Sequence, residues 1–264
     1  MRADVYLAEN GICESRSKAK SCIEDGLLFV NGVNVKKCSF DIKEADNVEI
    51  RGEVMPFVSR GGLKLLGAID AFGLDVNGLT CADIGASTGG FTDCLLQHGA
   101  KKVYAIDCGS GQLHHSLLND ARVKNIENFN ARELTAETLG EKCDIAVMDV
   151  SFISQTLLYG AVRSVLKVGG AFISLIKPQF EAGRSALGRG GIVKDQKAHI
   201  SVIKSVTKTA NSFGLALTGL IPSPIEGGDG NREYLAMFIS GGIQTVELDD
   251  DILKTLTTSQ GKVR

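Results

Sequence analysis

The sequence has no run approaching the roughly 18 apolar residues that a membrane-spanning helix requires. Its opening residues, MRADVYLAEN, carry charges at Arg2 and Asp4 where a secretory signal would be apolar. Neither a membrane span nor a signal peptide is expected. The seven cysteines, Cys13, Cys22, Cys38, Cys81, Cys94, Cys108 and Cys143, form no C-x-x-C pair and are odd in number, so neither a disulfide framework nor a zinc site is indicated. A reduced, cytoplasmic protein without a metal is expected. The formal net charge of -2 excludes a general polycation, so any nucleic-acid contact must come from local basic patches. There is no internal repeat and no low-complexity tract.

What is present is an ordinary globular composition: 264 residues, 44% hydrophobic and 23% charged, enough for one large or two unequal domains with a real core. Residues 1–50 read as a small α+β unit. Ser15 is placed to cap a helix that Gly26 would stop, and Asn31-Gly32 between two β-prone runs predicts a type I′ hairpin. Residues 51–59, RGEVMPFVS, read as a linker, with the larger domain over 60–264. From there, short apolar runs such as TCADIGA, KVYAIDC, CDIAVMDVSF and GAFISLIK alternate with helical segments. LALTGLIPSP and EYLAMFIS follow. That spacing predicts an α/β fold, a doubly wound parallel sheet of Rossmann type, with ligands at the carboxyl ends of the strands.

The first strand end, ADIGASTGG, supplies Gly85, Gly89 and Gly90 for a tight turn and close backbone approach to a ligand. No Gly-Lys-Ser/Thr follows and the G-x-G-x-x-G spacing is missing, so this is neither a Walker loop nor a standard dinucleotide fingerprint. Asp107, ending the next strand, is the acid expected to accept hydrogen bonds from ribose hydroxyls, a geometry that dehydrogenases share.

Four resemblances organise these features. SRSKAKSCIEDGLLFVNGVNVKKCSFDIKEADNVEI resembles the RNA-binding domain of ribosomal small-subunit protein four, which implies that Arg2, Arg16, Lys18 and Lys20 contact structured RNA. A solvated face is the alternative for those charges. The Asp83-initiated loop with the paired C-terminal strands resembles S-adenosylmethionine-dependent methyltransferases. On that resemblance Asp83, Gly85, Ala86, Ser87, Gly89 and Gly90, with Asp149 beside them, hold the methionine portion. Asp107 then holds the ribose and Asn128 and Asn130 the adenine. For Asp83 a helix N-terminal acid is the competing reading. Finally Lys64, Asp149, Lys177 and Glu233, in that order, resemble the catalytic tetrad of FtsJ-type ribose 2′-O-methyltransferases. Together with SRGGLKL, MDVSFIS, KPQFE, GRGGIVKD and GNREY, they make the chain similar to the TlyA family, described both as hemolysin-like and as rRNA 2′-O-methyltransferases.

The family resemblance implies methyl transfer from S-adenosylmethionine to a ribose 2′-hydroxyl of ribosomal RNA, with cytidine as the target nucleoside. Lys177 is then the candidate base or hydroxyl-orienting group, with Lys64 its cationic neighbour and the two carboxylates orienting the lysines. Arg60, Arg184, Arg189 and Lys194 are expected at phosphates near the target, unless the glycine-rich loop bearing the last three is a solvated surface loop. Two other functions compete. Membrane lysis is suggested only by the older family name, and a non-catalytic RNA-binding protein is disfavoured because all four tetrad charges are present.

Overall fold

The computed structural model describes residues 1–13, 15–52, 55–227 and 230–258, in two compact units, Met1–Pro56 and Phe57–Arg264. The smaller unit holds α1 (Ala3–Glu9) and α2 (Arg16–Glu24), then β1 (Leu28–Val30), β2 (Val33–Asn34) and β3 (Val48–Ile50) in the antiparallel order β2-β1-β3. Ser15 does cap α2, its Oγ accepting a hydrogen bond from Lys18 N at 3.2 Å. Asn31 and Gly32 have φ of 51° and 79°, the pair of positive angles that a two-residue turn between Val30 and Val33 demands. Leu7, Ala19, Ile23 and Leu28 form its core. Glu53 and Val54 of the expected linker lie outside the described residues. Phe57, at that linker's end, is buried in the larger unit, where a Cβ on Gly62 would lie 2.3 Å from its ring.

The larger unit opens with α3 (Gly61–Phe72), β4 (Thr80–Ile84), α4 (Gly90–Gln97), β5 (Lys102–Ile106), α5 (His115–Leu118) and β6 (Val123–Ile126). It continues with α6 (Ala136–Leu139), β7 (Cys143–Met148), α7 (Tyr159–Val165), β8 (Leu166–Ile176) and α8 (Pro178–Glu181). Last come α9 (Gln196–Ser212), β9 (Leu215–Pro222), β10 (Tyr234–Ser240) and α10 (Asp250–Thr258). The sheet order is β6-β5-β4-β7-β8-β10-β9. Strands β6 to β8 run parallel, whereas β10 is antiparallel to both of its neighbours, which corrects the expectation of a wholly parallel sheet.

Because helices cover both faces, the central strands are buried on both sides; all five residues of β4 are buried. Ile84, Ile106, Phe172 and Phe238 point to one layer with Val162 and Ile203, while Cys81, Val103 and Val147 point to the other with Leu65 and Leu95. Each such side chain contributes about 1.5–3 kcal/mol of burial, which holds the strand ends in fixed register. Pairing of Tyr234 with Ile176 brings Glu233, the residue before β10, beside Lys177, the residue after β8. Strand β6 was not anticipated, because Lys124 and Asn125 are exposed on an edge and its apolar signal is weak. No helix among the described residues is long and apolar enough to cross a membrane.

Candidate active site

Five chain segments, around Ser59–Lys64, Gly85–Phe91, Asp149–Ser151, Lys177 and Glu226, converge on one cavity of about 310 Å³ at the carboxyl ends of β4, β7 and β8. Lys64 comes from the first turn of α3, Asp149 follows β7 and Lys177 follows β8; all three line it. Glu233 stands behind Lys64, 4% exposed. Lys64 Nζ donates to Glu233 Oε2 at 2.6 Å, and Gln179 Nε2 donates to Glu233 Oε1 at 3.3 Å. Lys177 Nζ lies 2.5 Å from Asp149 Oδ1 and donates to Ser151 Oγ at 2.9 Å. The tetrad is therefore two separate ion pairs, one lysine to each carboxylate. Both lysines are largely removed from water, at 8% exposure each, so each needs its partner.

The glycine-rich loop forms the cavity floor through Gly85, Ala86, Ser87, Thr88 and Gly90. Gly85 has φ of 85°, and a Cβ there would fall 2.6 Å from Asp149 O, so the turn and the close approach both require glycine. A Cβ at Gly90 would collide with Ser59 Oγ at 2.2 Å, because α3 and α4 start against one another. Gly89, φ 97°, caps α4 over Leu113 and Leu117 and is not on the cavity wall. Asp107 follows β5 directly, and its Oδ2 accepts from Ser87 N at 2.8 Å and its Oδ1 from Gly109 N at 2.7 Å. It thus ties the loops after β4 and β5 together and keeps lone pairs for further donors.

Other expected cofactor residues sit differently. Asp83 is fully buried behind the loop, not on the cavity wall; Thr92 Oγ1 of α4 donates to its Oδ2 at 2.7 Å, and its Oδ1 has no partner. Burial, aided by the nearby Asp149 carboxylate, pushes its carboxyl up from the usual 3.8 to about 7. Asp83 itself belongs to β4, and its carboxyl reaches the first turn of α4 through Thr92. Asn130 Oδ1 accepts from Arg132 N and its Nδ2 donates to Glu133, so this side chain is spent capping the turn Ala131–Glu133. Asn128 is exposed in a left-handed conformation, φ 54°.

Of the expected basic residues, Arg60 lines the cavity and its Nη2 donates to Glu226 O at 3.1 Å. Arg184 and Arg189 are exposed on short turns outside it. Lys194 lines a second cavity of about 470 Å³, which shares only Glu226 with the first. In the small unit, Arg2 and Arg16 are exposed at their tips, and Lys20 lies 3.7 Å from Glu24. Lys18 is half-buried.

Sequence reasoning missed Ser151, Ser59 and Glu226 on the cavity wall, and Asn231, two residues before Glu233. Buried Asn231 accepts from Val193 N at 3.1 Å and donates to Gly191 O at 3.2 Å, which fastens the glycine-rich loop next to Glu233. Glu181 accepts from Ser154 Oγ and Gln155 N, holding the segment that carries Ser151. Only Ser151, two residues past Asp149, had a positional signal. Among the described residues no group of three His, Cys, Asp or Glu side chains is arranged to hold a metal.

Residues 57–239 match the FtsJ-like methyltransferase family model and residues 1–48 the S4 domain model. Hemolysin A of Brachyspira hyodysenteriae is 45% identical over 240 residues, spanning 90% of this chain and all of that protein. The 16S/23S rRNA (cytidine-2′-O)-methyltransferase TlyA of Mycobacterium tuberculosis is 38% identical over 234 residues, 88% of this chain and 87% of that one. The chain belongs to the TlyA family of FtsJ-like methyltransferases. A solved structure of a hemolysin-named protein from Streptococcus thermophilus, 39% identical, superimposes with a TM-score of 0.75 over 97% of this chain and 94% of that one. The TlyA fold is therefore shared over both units, and S-adenosylmethionine use is a trait of the methyltransferase family to which the larger one belongs.

Proposed function

We propose that this TlyA-family chain transfers a methyl group from S-adenosylmethionine to the ribose 2′-hydroxyl of cytidine in ribosomal RNA. The observation that carries the reading is the convergence of the Lys64–Glu233 and Lys177–Asp149 ion pairs on one glycine-floored cavity. The residues fit the cofactor: Gly85 lets the loop after β4 close against Asp149 O, where any Cβ would collide, and Asp107, bonded to Ser87 N of that loop, retains acceptor capacity for ribose hydroxyls. The adenine falls to the Asn128 end of the site and the methionine portion to the loop of Gly85, Ala86, Ser87 and Gly90. When bound, S-adenosylmethionine supplies a methyl already activated by its sulfonium.

The chain's own residues then have two tasks, alignment and one proton. Lys177 Nζ, held by Asp149 and Ser151, orients the 2′-hydroxyl and, as a free amine once its own ammonium proton has passed to solvent, takes the hydroxyl proton as the oxygen attacks. Lys64, fixed by Glu233, contributes a positive charge to the wall. Arg60, Arg184, Arg189 and Lys194 grip phosphates near the target, and Arg2, Arg16, Lys18 and Lys20 of the small unit bind structured RNA. A ribosomal substrate implies a cytoplasmic protein.

Incubating the purified chain with methyl-labelled cofactor and ribosomal subunits, then mapping ribose methylation, tests the proposal. Label on the 2′-oxygen of cytidine is expected. Label on a base, or no transfer while the cofactor binds, refutes it.

A further inference from the structure

The small unit contains one acid in an unusual position. Asp4, in the first turn of α1, is 6% exposed, yet both of its oxygens are committed to arginines. Arg2 grips both, Nε donating to Oδ1 at 3.0 Å and Nη2 to Oδ2 at 3.3 Å, and Arg16 Nη2 donates to the same Oδ2 at 2.9 Å. The backbone places it there: Ala3 N donates to Phe40 O at 2.8 Å and Asp4 N to Cys38 O at 3.3 Å, while Arg16 begins α2 directly after the Ser15 cap. The arginine hydrogen bonds hold the Asp4 carboxyl down at about 2, so it stays ionised at any working pH. The arginine side chains remain 55% and 63% exposed, and each guanidinium keeps most of its five N–H donors.

We propose that Asp4 is a positioning residue that fixes Arg2 and Arg16 as a preformed pair for an RNA backbone phosphate. This rests on the proposed RNA-binding role of the small unit. Two guanidinium groups repel when brought together, and each loses several rotatable bonds on binding a phosphate. A buried carboxylate between them offsets the repulsion and settles the rotamers before RNA arrives. Preorganisation and simple charge make opposite predictions: removing a negative charge beside a polyanion should tighten binding, whereas unfastening the arginines should loosen it.

The test measures affinity of the full chain for purified ribosomal subunits across a salt series, for wild type, Asp4→Asn, Arg2→Ala/Arg16→Ala and the triple variant. Asp4→Asn is expected to bind about tenfold more weakly, the scale of freeing one or two long side chains, with a shallower salt dependence. In the arginine-free background the same change should do nothing. Equal or tighter binding by Asp4→Asn, where the arginine variant is weakened, overturns the proposal alone. An equal loss in both backgrounds overturns it too, since Asp4 would then act through the fold. Full affinity in Arg2→Ala/Arg16→Ala removes the RNA-contact reading and the proposal with it.

Discussion

Asp83→Asn gives the sharpest stability test, because the site predicts a pH-dependent difference and not merely a loss. Asp83 is wholly buried on β4, with one hydrogen bond from Thr92 and one oxygen unpartnered, and burial raises its carboxyl from 3.8 to about 7. The folded state therefore keeps a proton that the unfolded chain releases near 3.8. Stability from the neutral form is fully present below that value and is lost as pH rises through about 7. At about 1.4 kcal/mol per pH unit, the cofactor-free wild type should lose roughly 2–3 kcal/mol between pH 5 and pH 8 from this group. Asparagine cannot ionise and keeps the acceptor for Thr92. Its extra N–H donors carry a penalty of about 1–3 kcal/mol that does not vary with pH. The informative quantity is thus the gap between variant and wild type, which should shift in favour of the variant by roughly 4–12 °C in Tm from pH 5 to pH 8. Thermal unfolding at several pH values without cofactor measures it. Parallel profiles would show that Asp83 is already ionised in the folded protein, and the burial argument would fail.

Replacing Lys177 by alanine should lower single-turnover methyl transfer by about 10²-fold or more while cofactor affinity holds, and Lys177→Arg should restore little, since a guanidinium cannot accept the proton. Near-normal rates in the arginine variant would make Lys177 a charge clamp. Asp107→Ala should weaken cofactor binding by roughly 1–3 kcal/mol in calorimetry, partly because Ser87 N and Gly109 N lose their common acceptor; unchanged affinity would put the ribose elsewhere. Lys64→Ala strands the buried Glu233 carboxylate and should reduce unfolding stability by about 3–5 kcal/mol, most of it recovered when Glu233→Gln is added. A loss that Glu233→Gln leaves untouched would contradict the ion-pair account.

The sequence made legible what local chemistry dictates. Ser15 and the Asn31-Gly32 turn are self-contained signals, and apolar runs ending in a charge marked Asp149 and Lys177, because a strand buried on both faces can admit a charge only at its end. Asp83 was harder. It shares a face with Cys81, toward α4, but β4 is buried on both sides and shows no polar alternation from which its direction could be read. Asn130 could have been read as a cap, since Glu133 follows at the spacing of a helix start. Ser151, Glu226 and Asn231 owe their places to contacts with residues 26 to 40 positions or more away, which no window of sequence displays.

The reversed direction of β10 bears on how such enzymes diversify. Parallel strands can offer a crevice only their final residues, so each further strand on that edge would need a crossover helix to contribute. Running one strand backwards lets the residue just before it, Glu233, reach the same crevice, and brings Glu226, from the connection between Pro222 and Tyr234, to the mouth. Within it, Glu226 lines both cavities, whereas Asn231 is buried and bonded to Gly191 and Val193. Descendants of this architecture therefore have a place to acquire new substrate preferences around Glu226, with Asn231 and the ion pairs left standing.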